Sequence, residues 1–288
     1  MSGKHELYVS MGKKRYRVER PWGRVPETVQ LGLCSGVAVD SKDRLFVCQR
    51  FDPIADETIG PAVLVFGADG GFVTSWGADE VKDAHFIHVD HKDRVFVVDR
   101  DAQQILAFTT EGELLFALGE RDRAGTPFNH PSGVAVAEDG DIYVADGYGG
   151  TEVHRFSAEG RHLSTWGRPG AGPGEFTTPH DVRVLRDGRV LIADRENNRV
   201  QAFDRSGKYL GEFGDFYHPM SIYVDSDDVM YVSDQIPRLI ALGLDGTRIG
   251  SCRPVLNIGH AVVGDSRGNL YLAELHPSRV TKLTLVPG

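Results

Sequence analysis

From Cys34 onward the chain alternates. In CSGVAVDSKDRLFVCQR, apolar residues recur at every second position of a first run. A polar turn follows, and a second apolar run ends in a polar pair. A period of two is the spacing of a strand with one buried face, and two such runs joined by a turn rich in Asp, Gly or Lys predict a β-hairpin. The pattern returns in AHFIHVDHKDRVFVVDR from Ala84, PSGVAVAEDGDIYVADG from Pro131, PHDVRVLRDGRVLIADR from Pro179, PMSIYVDSDDVMYVSDQ from Pro219 and GHAVVGDSRGNLYLAEL from Gly259. These six openings lie about 40–50 residues apart. Repetition at a fixed period indicates one supersecondary unit used many times.

Most units continue with two further strands. VLVFGADGGFVTSWG, QILAFTTEGELLFALG, VHRFSAEGRHLSTWG and VQAFDRSGKYLGEFG share one plan: a strand ending near Phe, a turn with Gly, and a strand closing on an aromatic residue or Leu before Gly. Four strands in each of six units predict an all-β, six-bladed β-propeller with four-stranded blades. No helical period interrupts them. The last unit stops at LTLVPG without a fourth strand, whereas RYRVERPWG near the N-terminus ends like a fourth strand, Trp22-Gly23 matching Trp76-Gly77 and Trp166-Gly167. We therefore expect one domain over residues 15–288, with the strand at 15–23 completing the last blade and removing an exposed edge. Residues 1–14 are expected to form a tail.

Composition narrows the function. With 288 residues and 41% hydrophobic content the chain can bury a core. Its net charge of −9 and lack of a basic stripe argue against nucleic acid as a partner. No apolar run approaches the ~18 residues of a membrane span, and the polar N-terminus does not resemble a signal peptide. Three cysteines, Cys34, Cys48 and Cys252, are too few and too irregular for a disulfide frame, so a cytoplasmic setting is expected. Oligomeric state is not readable.

The candidate chemistry lies in the register of the repeats. Two residues before the first apolar position of each inner strand stand Ser35, His85, Ser132, His180, Met220 and His260. Histidine thus occupies alternate units, about 120° apart around a six-bladed ring. Three imidazoles converging on one axis form a three-ligand site with open positions, the arrangement of a catalytic Zn²⁺; other divalent transition metals also suit imidazole. His88, His91, His130, His154, His162, His218 and His276 fall outside this register and read as turn or surface residues. The second strands end in Gln49-Arg50, Asp99-Arg100, Asp146-Gly147, Asp194-Arg195, Asp234-Gln235 and Glu274-Leu275. The recurrent acid reads as a cap for loop N–H groups. Arg50 and Arg195 stand near the same mouth and offer planar forks for a carboxylate. Tyr148, on the Gly-flanked ADGYGG loop, can serve as a base beside a metal or as an aromatic plug.

These residues resemble the NHL-repeat propellers, and more specifically the catalytic domain of peptidyl-α-hydroxyglycine α-amidating lyases. The resemblance runs from about Ser35 to Leu285, and GEFTTPH and ADRENNRVQ are its most specific parts. It implies a catalytic zinc on His85, His180 and His260, a catalytic tyrosine at Tyr148 and active-site arginines at Arg50 and Arg195. The implied reaction cleaves an α-hydroxyglycine carbinolamide into an amide and glyoxylate. The metal would acidify the substrate hydroxyl, Tyr148 would accept its proton and Arg50 would hold a carboxylate. Ile258 and Ala261 replace the family's Met and Asp beside the third histidine, so the structural Ca²⁺ site that the resemblance implies lacks one of its ligands here. Gly149 replaces a cysteine beside the tyrosine. The expected partner is a small-molecule substrate bearing a carboxylate, acted on by a lyase or a diverged hydrolase. The alternatives are a non-catalytic propeller binding a partner on one rim and a calcium-dependent hydrolase resembling the lactonases. The latter needs a cluster of oxygen ligands where this chain has His, Ser and Met.

Overall fold

The computed structural model describes residues 6–52, 59–255 and 257–287. Six antiparallel sheets stand around a central channel. Blade 1 contains strands Leu33–Val39, Leu45–Arg50, Val63–Phe66 and Phe72–Trp76. Blade 2 contains Ala84–Val89, Val95–Asp99, Gln104–Phe108 and Leu114–Leu118. Blade 3 contains Gly133–Val136, Ile142–Asp146, Glu152–Phe156 and His162–Trp166. Blade 4 contains Pro179–Val184, Val190–Asp194, Arg199–Phe203 and Tyr209–Phe213; blade 5 contains Pro219–Val224, Val229–Asp234, Arg238–Gly243 and Arg248–Cys252. Each of these five blades runs in chain order outward from the channel. Among the described residues the only helical turn is a 3₁₀ turn at Arg195–Asn197.

Blade 6 joins the ends of the chain. Its inner strands are Gly259–Gly264, Leu270–Glu274 and Arg279–Val286, and Lys14–Trp22 pairs antiparallel to the last of these. The tail expected at residues 1–14 is a strand for part of its length. Leu7–Met11 pairs with Lys14–Trp22 as a fifth, outermost strand. The reason is local: Gly12, with φ +57°, makes the turn of a tight hairpin, and Met11 is 2% exposed against the core. Residues 1–5 of that expected tail lie outside the described residues.

The cores lie between blades. Second strands such as Val95–Asp99 and Val190–Asp194 are buried along their whole length because both faces are covered by neighbouring sheets. Outer strands such as Tyr209–Phe213 alternate between half-buried and exposed. Consecutive inner strands pack side by side around the channel, including that of blade 6 against that of blade 1.

Candidate metal centre

The histidines project from a repeated irregularity. In blades 2, 4 and 6 the pairing of the first two strands shifts register between Ala84 and Phe86, Pro179 and Asp181, and Gly259 and Ala261. The skipped residue is His85, His180 or His260. A bulge leaves one residue outside the ladder and re-aims its side chain. Here it turns three imidazoles inward. Blades 1 and 5 shift at Ser35 and Met220 in the same way.

The imidazole centroids lie 4.9–5.1 Å apart in a near-equilateral triangle, and their candidate ligand nitrogens are within 4.8 Å of one another. All three side chains are buried. Each Nδ1–H donates to the carbonyl of the equivalent residue in the next blade: His85 to Ser132 at 2.7 Å, His180 to Met220 at 2.6 Å and His260 to Ser35 at 2.5 Å. Ser132 Oγ continues the ring to the Pro179 carbonyl at 2.6 Å, and Ser35 Oγ to the Ala84 carbonyl at 2.5 Å. These bonds fix the tautomer, so every Nε2 presents a lone pair to the axis.

Electrostatics keep the imidazoles neutral. Burial, the other two imidazoles and Arg50 hold His85 well below the usual histidine range. Burial, His260 and Arg195 do the same for His180. His260 is pulled down to about 4 by burial, opposed by its bond to the Ser35 carbonyl and assisted by the charges of Arg50, Arg195 and Arg100. Neutral imidazoles with free Nε2 lone pairs are the protonation state that metal ligation requires.

Tyr148 covers the triangle. Its hydroxyl lies 2.9 Å from His85 Nε2 and 3.0 Å from His180 Nε2. One hydroxyl proton can satisfy only one of these acceptors, so three converging lone pairs share a single donor proton. Such a buried set fits a cation of about the size of Zn²⁺. Tyr148 is held from beneath: its N–H donates to the His130 carbonyl, and Gly149 N–H to that of Asn129. Gly147 is required there because a Cβ would stand 2.0 Å from the Pro179 carbonyl oxygen.

The arginines sit around this phenol. Arg195 Nη1 lies 3.4 Å from its oxygen, and the Arg195 and Arg100 guanidiniums each lie 5.3 Å from its ring. Arg50 binds the buried Asp83 through two nitrogens at 2.6 and 3.1 Å, and Arg100 Nε shares that carboxylate at 3.0 Å. The structure thus brings together His85, His180, His260, Tyr148, Arg50 and Arg195. Arg100 and Asp83 were missed. Arg100 occupies the register of Arg50 and Arg195, which was a legible signal; Asp83 carried none.

The recurrent acids hold loops. Asp99 accepts from Lys82 and Asp83 N–H, Asp146 from Asn129 N–H at 2.7 Å, and Asp194 from Thr177 N–H at 2.8 Å. They thereby fix the segments that lead into the inner strands. His130 and His218 adopt φ values of 62° and 49° before their prolines, as turn residues. Among the described residues no second group of three or more metal-ligating side chains occurs. No helix there is long and apolar enough to cross a membrane.

Comparison with known proteins agrees with this architecture. The NHL repeat model matches residues 128–157 and 176–203. The chain thus carries NHL repeats within a six-bladed propeller. It is 29% identical to NHL repeat-containing protein 3 of Homo sapiens, over 93% of this chain and 83% of that protein. It is also 29% identical to peptidyl-alpha-hydroxyglycine alpha-amidating lyase 1 of Drosophila melanogaster, over 70% of this chain and 37% of that enzyme. A streptogramin B lyase structure superposes with a TM-score of 0.69 over 96% of this chain and all of that one, at 12% identity, a likeness of fold alone. The homologues thus include enzymes, and a three-histidine site stands in the channel.

Proposed function

We propose that this protein is a metal-dependent lyase of the amidating-lyase type, acting on a small carbinolamide that bears a carboxylate. The observation that carries the reading is the convergence of three buried, neutral imidazoles beneath Tyr148. His85, His180 and His260 would hold the metal, with zinc the first candidate. When bound, it supplies a Lewis acid for a substrate oxygen. Arg50, its fork pre-set by Asp83, turns its remaining N–H groups to the substrate carboxylate. Tyr148 lies within proton-transfer distance of a hydroxyl placed over the triangle. It takes that proton as the carbon–oxygen bond becomes a carbonyl and the carbon–nitrogen bond breaks. Tyr148 returns this proton to the departing nitrogen, and an amide and an α-oxo acid leave. Arg195 donates to the Tyr148 oxygen and stabilises it while the proton is absent.

The amidating lyases among the relatives support this reading. A second reading, a binding propeller without catalysis, draws on the likeness to NHL repeat-containing protein 3 over 93% of the chain. A scaffold has no use for three lone pairs aimed at one point.

The deciding experiment is elemental analysis of the purified protein beside His180→Ala, followed by a screen of carbinolamides for release of amide and α-oxo acid. About one transition metal per chain, lost in the variant, together with turnover, is the expected result. Absence of metal after reconstitution sinks the lyase reading and leaves the binding propeller.

A further inference from the structure

The channel continues below the imidazoles. The Phe86 ring stands 6.1–6.5 Å from all three of them and forms a floor on the axis. Three positions after the histidine register, the inner strands carry Ala38, His88, Ala135, Arg183, Tyr223 and Val263. The two alanines leave space. His88, Arg183 and Tyr223, with Asp181 and Ser221, line a chamber of about 120 Å³ beneath Phe86. It adjoins a cavity of about 230 Å³ lined by His88, His91, Arg183 and Arg186. Arg183 also borders a wider cavity of about 580 Å³.

The donors here are unmatched. Among the described residues the Arg183 guanidinium has no hydrogen-bond acceptor or ion pair, and its close partner is the Tyr223 ring at 5.6 Å. His88 Nε2 accepts the Val136 N–H at 3.3 Å, which leaves its proton on Nδ1 with no acceptor. The Tyr223 hydroxyl has none either. The acceptors are occupied. Asp181 takes the N–H groups of Val182 and Ile222, each at 2.8 Å, and Ser221 Oγ that of Val262. Asp90 holds Arg94 and Asp225 holds Lys14. Glu138 and Asp228 are exposed at the outer mouth, with His91 and Arg186. Asp181 feels the Arg183 charge without making an ion pair with it; a half-buried arginine with no carboxylate in contact is costly, and its fork matches an oxyanion.

We propose that this chamber is a second binding site, separate from the imidazole centre, in which Arg183, His88 Nδ1–H and Tyr223 O–H donate to a small oxyanion, a phosphate or a carboxylate. Burial and the Arg183 charge pull His88 down to about 3, so it serves as a neutral donor. The site does not rest on the lyase reading.

The test is calorimetric titration of the full chain with inorganic phosphate and, separately, with acetate, each against chloride at matched ionic strength. We expect one anion per chain when the titration is run on Arg50→Met, where the carboxylate fork at the imidazole rim is removed, with half-saturation at about 1 mM for the preferred anion. The tighter of the two names the ligand class. In that background Arg183→Met should weaken binding at least tenfold, and Tyr223→Phe, a milder change that keeps the packing, severalfold; Arg50→Met alone should leave the affinity of this site unchanged. No binding of either anion up to about 10 mM overturns the proposal. So does binding that survives both Arg183→Met and Tyr223→Phe, or that is lost in Arg50→Met, since the anion then sits at the imidazole rim.

Discussion

A single histidine at the start of a strand is a turn residue; three in register on alternate blades can form a ligand set. The difference lies in the Nδ1 bonds to Ser132, Met220 and Ser35, which leave each Nε2 lone pair toward the axis. His180→Ala should therefore abolish metal content, read by elemental analysis. Tyr148→Phe should keep the metal and slow turnover by about 10²–10⁴-fold, the usual range for loss of a general base. Acid adds a stability signature in the metal-free protein. The folded-state values of the three imidazoles lie below 6.5, with His260 at about 4, so the unfolded chain takes up protons first as pH falls. Stability is fully present above about 6.5 and declines below it, by up to ~1.4 kcal/mol per pH unit for each imidazole, until each folded value is reached. Urea denaturation at stepped pH should show that slope, and His260→Gln should make it shallower. A slope unchanged by the substitution would count against a neutral, buried His260.

At the level of elements, the strand-end acids connect second strands to the loops that aim the site. Asp194 holds Thr177 N–H, three residues before His180, and pairs with the Arg199 guanidinium. Asp194→Ala leaves the Thr177 N–H, the Gln201 amide and Arg199 Nε without their acceptor while Arg199 keeps Glu212, and should cost about 1–3 kcal/mol, read by denaturation, with weaker metal retention. Leu210, exposed on the outer strand of blade 4, tests the contrast: Leu210→Ser should stay within about 0.5 kcal/mol.

For the whole molecule, closure is the structural problem that a ring must solve. Lys14–Trp22 bridges the first blade's side of the ring to the last strand of the chain, and Tyr16 on it is 1% exposed. Tyr16→Ala should cost about 3–5 kcal/mol, because a large buried aromatic is lost at the seam. On the proposed reading, a metal held by three blades would add a second tie. At about 1,000 times its Kd, it contributes about 4 kcal/mol by mass action. Chelation should lower Tm to the value of His180→Ala, whose own Tm should not respond to chelator.

The sequence by itself determined the repeat, the blade number, the seam strand and the six residues Arg50, His85, Tyr148, His180, Arg195 and His260 that gather at one mouth. Each of these is a local or periodic property: alternation reports a strand, and register reports position around a ring. The hairpin at Leu7–Met11 is a local pairing with Lys14–Trp22 through the Gly12 turn, and it escaped because its run of polar and charged neighbours masks the alternation of so short a strand. The bulges escaped because one skipped residue in a ladder leaves no mark in an alternating pattern. Asp83 became visible only when Arg50 and Arg100 were seen to share it as a buried partner. Phe86 as the floor of the site, and the unpaired Arg183 beneath it, follow from which side chains share the channel at each height. That sharing joins residues far apart in the chain, and only the closed ring decides it.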